Sequence, residues 1–184
     1  SAVACPQNAD PDVLLNDMQF VGRTKKYFER AGPHRCASVD GEWENPVKCK
    51  IFAKTVAAGV LLGFAPGERV FDWGTGCGHA LAWTERIFGV RTTGHELVAA
   101  NAKEARRFTG VEKLCTSDGS DLSHLPDAYV DHVISNAAII HLAERKQCAL
   151  VVNDLLRILR PGGTMWLGWN GPRQVVPVSE KTWQ

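Results

Sequence analysis

Apolar positions follow two rhythms along this chain, and the change from one to the other divides it. The first third is helical in rhythm. Asp10 followed by Pro11 supplies an N-cap and a first-turn proline, and Val13, Leu14, Met18, Phe20 and Val21 give an apolar side to a helix running toward Phe28. Gly32-Pro33 stops it, and residues 34–45 read as loop. Asn45-Pro46 repeats the cap signature. Val47, Ile51, Phe52, Val56, Val60 and Leu61 then recur at three and four residues and predict a second helix ending near Gly63.

From Pro66 onward short β-rich runs alternate with helical ones. Pro66-Gly67 marks a turn, residues 69–72 predict a strand, and Gly74, Gly76 and Gly78 crowd the turn behind it. Residues 80–88 predict a helix, 90–96 a strand, 97–108 a helix, 112–116 a weaker strand, and 130–134 an apolar, β-branched one. A helix over 144–159, a turn at Pro161-Gly162-Gly163 and a strand over 164–169 complete the alternation. This spacing builds a parallel sheet covered on both faces. The expected fold is a three-layer α/β/α sandwich with a mostly parallel sheet, preceded by N-terminal helices that pack on it or lid it.

Composition adds mainly exclusions. The chain has 184 residues, 45% hydrophobic and 22% charged, which suits one globular domain. At that size roughly 70% of the unfolded surface is buried, so the core needs no staples. Lys and Arg number 21 against 20 Asp and Glu, and a net charge of +1 provides no long-range field for nucleic acid or an anionic membrane. The longest apolar stretch, residues 51–64, is broken by Lys54 and falls short of the roughly 18 uncharged residues of a membrane helix. No basic segment followed by an apolar run opens the sequence, so no signal peptide is expected and the cytoplasm is the default location. Cys5, Cys36, Cys49, Cys77, Cys115 and Cys148 show neither a C-x-x-C pair nor zinc spacing. Free thiols and no metal site are expected, with a disulfide among the three N-terminal cysteines as the alternative.

Parallel sheets bind ligands at the carboxyl ends of their strands, where strand order reverses, and the first β-α turn usually takes part. Here that turn is D-W-G-T-G-C-G, residues 72–78. Its glycines let a ligand approach the backbone, and the N–H groups of the next helix favour a carboxylate or phosphate. A nicotinamide or flavin site would want G-x-G-x-x-G, but the pattern is G-x-G-x-G and His79 takes the place of the third glycine. Glu96, at the end of the second strand, can accept hydrogen bonds from both hydroxyls of a ribose.

These residues resemble the motifs of the class I S-adenosylmethionine-dependent methyltransferases, whose fold is a Rossmann-like sheet. Residues 66–78 resemble the first motif, and Thr93-Gly94-His95-Glu96-Leu97 the acidic second. Thr116-Ser117-Asp118-Gly119 with residues 125–136 is similar to the third and fourth, and residues 155–169 to the fifth. The resemblance covers roughly residues 64–170. It implies S-adenosylmethionine as cofactor, with Asp72 at its amino acid end and the Gly74-Thr75-Gly76 backbone beside its carboxylate. It places Glu96, followed by Leu97, on the ribose, Asp118 and Gly119 at the adenine amino group, and Asn136 along the path of the methyl. Trp73 departs from the small aliphatic residue usual there, and packs against the cofactor or fills the core.

Methyl transfer from a sulfonium is a direct displacement that needs alignment and exclusion of water rather than a strong acid or a metal. A hydroxyl or protonated amine acceptor needs a base, and His141, shortly after Asn136, is the candidate. The fourth motif reads Ser135-Asn136-Ala137-Ala138 and lacks the Pro-Pro-aromatic clamp used on exocyclic amines in the family's nucleic-acid modifiers. No basic stripe with interleaved aromatics is present either. A small molecule with an O or N acceptor atom is therefore expected, and a protein or peptide second. The rival readings are a non-catalytic methyltransferase-like module and a nicotinamide oxidoreductase.

The organisation expected is a single domain: a helical segment over 1–65, a cofactor-binding core over 66–170 and a tail over 171–184. The family's sheet ends in two further strands, which the tail cannot supply. Either the chain is a fragment of a longer protein or the N-terminal helices close the sheet.

Overall fold

The computed structural model describes Cys5 and residues 46–168 except 110–113, 118, 120, 137 and 140–144. Asp118, His141, the helix expected after Asp10 and the tail over 171–184 lie outside the described residues. The elements run α1 (Pro46–Leu62), β1 (Arg69–Trp73), α2 (His79–Phe88), β2 (Arg91–Glu96), α3 (Ala99–Thr109), β3 (Leu114–Thr116), β4 (Val130–Asn136), α4 (Arg145–Ile158) and β5 (Leu159–Gly168). The five strands form one sheet in the order β3-β2-β1-β4-β5, and every neighbouring pair is parallel.

The sheet is buried on both sides, so its central strand is apolar almost throughout. In β1, Phe71 and Trp73 face one layer with Val133, Val151, Leu155 and Ile158, the last three from α4. Val70 faces the other, with Ala58, Phe64, Val90 and Ile134. Alternate residues of a strand point to opposite faces, so these two clusters are the two sides of the sandwich. A third cluster joins Leu81 of α2, Ala102 and Ala105 of α3, and Leu114 of β3. Burying a side chain such as Phe71 or Leu155 contributes about 1.5–3 kcal/mol each.

Two expectations about local structure are corrected. The α1 stripe read from Val60 and Leu61 is wrong: they are 68% and 79% exposed, while Thr55 and Ala58 are buried. The helix packs through small residues because a Cβ on Gly59 would strike the ring of Phe88, so α1 and α2 approach at that glycine. Thr55 tolerates burial because its hydroxyl donates to the Ile51 carbonyl at 2.9 Å. The Pro161-Gly162-Gly163 turn lies inside β5. Leu159 pairs with Val130 and Thr164 with His132, so β5 carries extra residues there and the turn is looped out as a bulge.

The cysteine expectation is also overturned. Cys5 and Cys115 form a disulfide across 110 residues of sequence, tying the N-terminal region to β3, and Cys77 is disulfide-bonded as well. Spacing along the chain carries no sign of the Cys5–Cys115 bridge, whose two residues lie 110 apart.

Candidate functional site

The chain leaves β1 toward β2 on one side and returns to β4 on the other, which puts the reversal of strand order between the carboxyl ends of β1 and β4. The glycine turn crosses this point. Thr75 N–H donates to the His95 carbonyl at 2.9 Å, and its hydroxyl donates back to the Asp72 carbonyl at 3.2 Å. Gly74 touches the segment after β4, where a Cβ would strike that of Ala138. Gly76, at φ +60°, would direct a Cβ into open space, so the turn is close-packed on one side and open on the other. Gly78 caps α2 in the left-handed conformation and, having no side chain, supplies no side-chain hydrogen bond to its first turn.

Two carboxylates meet this turn. Asp72 is 1% exposed, and its Oδ1 has no hydrogen-bond partner among the described residues. Burial, and after it the charge of Glu96, push its pKa up to about 7. Glu96 is also buried, but it is held: Oε2 accepts from Gly76 N–H at 2.6 Å and Oε1 from Val98 N–H at 2.8 Å. Burial raises its pKa, and the bonds from Val98, Gly76 and Asn101 pull it back. Each carboxylate oxygen offers two acceptor sites, so Glu96 keeps capacity for further donors.

Beside them, Trp73 is buried, with its indole N–H donating to the Gly119 carbonyl at 3.0 Å. Leu97 is half-buried just after β2. Asn136, at the end of β4, is half-buried and registers with Gly168. The hydroxyl of Ser135 donates to the Trp73 carbonyl at 3.0 Å, stapling the ends of β1 and β4 where the crevice opens. Sequence reasoning missed Ser135 and His95. The available signal was a polar residue directly before Asn136 and Glu96, within a strand that the alternation places in a covered sheet.

A second polar cluster lies at the opposite ends of the strands. His132 Nε2 is 2.8 Å from Glu68 Oε2, and its Nδ1 is 2.7 Å from the Thr164 hydroxyl. Arg160 bridges Glu68 at 3.2 Å and Asp131 at 2.8 Å. This network joins β1, β4 and β5 on the side away from the glycine turn. Among the described residues no group of three His, Cys, Asp or Glu could hold a metal ion, and no helix is long and apolar enough to cross a membrane.

A parallel α/β sandwich with a glycine turn, an acid at the end of β1 and another at the end of β2 defines a Rossmann-like ligand-binding domain. Comparison with known proteins narrows this. A family model described as "Methyltransferase domain" matches residues 71–167, and the chain belongs to that family, the class I S-adenosylmethionine-dependent methyltransferases. Cycloartenol-C-24-methyltransferase of Arabidopsis thaliana is 30% identical over 106 residues, which are 55% of this chain and 31% of that protein. A Geobacter sulfurreducens S-adenosylmethionine-dependent methyltransferase solved with S-adenosylhomocysteine is 26% identical at a TM-score of 0.53, over 68% of this chain and 51% of that one. A chain in the complex between the Haloferax volcanii Trm112 methyltransferase activator and a methyltransferase is 31% identical at a TM-score of 0.55, over 64% and 50%. This chain thus spans about a third of the plant enzyme and about half of each solved chain. The cofactor of the family is S-adenosylmethionine.

Proposed function

We propose that this chain binds S-adenosylmethionine between β1, β2 and β4 and transfers its methyl group to an oxygen or nitrogen of a small molecule. The observation that supports this most is the Asp72 Oδ1, buried without a donor among the described residues beside a glycine turn with an open face. A carboxylate in that state suits an ammonium group, which supplies both donors and countercharge. Asp72 would take the cofactor's amino group, and Gly74, Thr75 and Gly76 would border its carboxylate, near the start of α2. Glu96 would hold the ribose with the one acceptor site that Gly76, Val98 and Asn101 leave it, with Leu97 alongside. Asp118 and Gly119 would meet the adenine, and Asn136 would line the way to the methyl.

When bound, the cofactor supplies an electrophilic methyl carbon on a sulfonium. The chain's own residues would orient it for displacement. His141 would take the proton of the acceptor hydroxyl or amine. A carbon acceptor is the second reading, favoured by the plant relative, which is named for methylation at C-24. An alkene carbon attacks without prior deprotonation, so His141 would then lose that role.

Calorimetric titration with S-adenosylmethionine, S-adenosylhomocysteine and NAD in parallel tests the cofactor assignment. Micromolar binding of the first two and none of NAD is expected, and silence toward both sulfur compounds from a folded sample would overturn the reading. In an acceptor screen that follows methyl-labelled product, His141→Ala should lower turnover while leaving cofactor affinity intact.

A further inference from the structure

Ser117 and Gly119 follow a strand of only three residues at the edge of the sheet, where the Ser117 N–H on the Glu96 carbonyl at 3.2 Å is a backbone bond that holds them. Two buried rings do so from behind. The Trp73 indole N–H donates to the Gly119 carbonyl at 3.0 Å, and His95 Nδ1 lies 3.1 Å from the Ser117 carbonyl. A carbonyl can only accept, so His95 Nδ1 carries the proton. The rings pack edge to face at 4.9 Å between centroids, and both are at most 4% exposed. Gly119 has φ +67°, and a Cβ there would strike His95 and come within 2.5 Å of the indole nitrogen. Rings and loop are therefore in direct contact, with no room for a side chain between them.

Burying an imidazole and an indole N–H costs free energy unless each finds a partner. Aliphatic residues would fill the same space with no such requirement. Both donors are directed at carbonyls of this one loop. His95 also uses its main chain, since its carbonyl accepts the Thr75 N–H of the glycine turn at 2.9 Å. One residue thus links the two ends of the cleft, its ring to the loop after β3 and its backbone to the turn after β1.

We propose that Trp73 and His95 are positioning residues that fix Ser117 and Gly119 after β3 and so set how strongly the site selects adenine over other bases. The inference rests on the cofactor reading above, with the adenine at this loop. It assigns Trp73 to the loop's support rather than to contact with the cofactor.

The test measures affinity for S-adenosylhomocysteine and for S-inosylhomocysteine, which differs by replacing the exocyclic amine with a carbonyl. The proteins compared are wild type, Trp73→Phe, His95→Leu and His95→Asn. Phe keeps an aromatic ring and removes the donor, whereas Asn keeps an N–H close to the Nδ1 position. Wild type should prefer the adenine compound by tenfold or more. Trp73→Phe and His95→Leu should each lose about tenfold toward it and far less toward the inosine compound, and His95→Asn should recover most of that loss. Unchanged affinities, or equal losses toward both ligands, would overturn the proposal, because a general packing defect does not alter base selection. Wild-type protein that binds neither ligand would instead overturn the cofactor reading itself. Either ring variant decides the matter alone if the other fails to fold.

Discussion

Replacing Asp72 with asparagine should stabilise the ligand-free protein at neutral and alkaline pH while weakening its hold on the cofactor. Burial, with Glu96 adding to it, pushes this carboxyl from 3.8 for an unburied aspartate to about 7. An acid raised in this way keeps its proton in the fold after the unfolded chain has lost it. Stability therefore falls as pH rises between about 4 and 7, by about 1.4 kcal/mol per pH unit, and stays level above that range. The whole effect is about 4 kcal/mol at most. Asparagine is nearly isosteric and never ionises, so the two proteins should match near pH 4, where both side chains are neutral. By pH 8 the variant should lead by about 2–4 kcal/mol.

Urea unfolding of both proteins at half-unit steps from pH 4 to 8.5 isolates this contribution, because every other titrating group cancels in the difference. In calorimetry the variant should lose about 1.5–3 kcal/mol of affinity for S-adenosylhomocysteine, the worth of a hydrogen bond to a charged group. A difference that does not change with pH, or a variant less stable than wild type at pH 8, would refute the argument. Either outcome would mean that the carboxylate already has its counterpart within the fold.

Three further outcomes are expected. Glu96→Ala should weaken S-adenosylhomocysteine binding by about 1.5–3 kcal/mol in the same titration, since a charged acceptor for the ribose is lost. Glu68→Gln should cost about 1 kcal/mol at pH 7. The His132 hydrogen bond, foremost, holds the Glu68 carboxyl below the usual 4.5, so stability present above that value is lost as pH falls, and unfolding curves of the two proteins should converge at acid pH. Substituting Cys5 and Cys115 by serine should lower stability by about 2–4 kcal/mol in urea unfolding, as removal of a crosslink spanning a long loop does. A thiol count before and after reduction of the wild type checks that the bridge is formed.

Much of the core was legible because its signals are local. The β1 strand, the glycine turn behind it and the acid ending β2 lie close together between Arg69 and Glu96, and each follows from period, turn chemistry or charge at a strand end. The α1 face was misread because large apolar side chains were taken as the packing surface. Gly59 and Ala58 pack instead, and the residue they admit, Phe88, lies in another helix. The β5 bulge escaped notice because Pro161-Gly162-Gly163 has the chemistry of a turn, and only the register with β4 shows that pairing begins before it. The disulfide and the contacts of His95 join residues 110 and 22 apart, and no periodicity carries that information.

The cleft's two halves are secured by different means, and this bears on which half should tolerate change. The glycine turn is held by backbone groups: Thr75 N–H on the His95 carbonyl and the pairing of β1 with both β2 and β4. Such bonds survive most side-chain substitutions. At β3 the pairing with β2 covers only three residues, and side chains add to it: the Cys5–Cys115 bridge, the Arg106 guanidinium on the Leu114 carbonyl at 2.7 Å, and the rings of Trp73 and His95. Each of these can be removed by one substitution, and the disulfide by a reductant. Substitutions of these side chains should therefore act first on recognition of the base and only later on the end of the site that receives the amino acid.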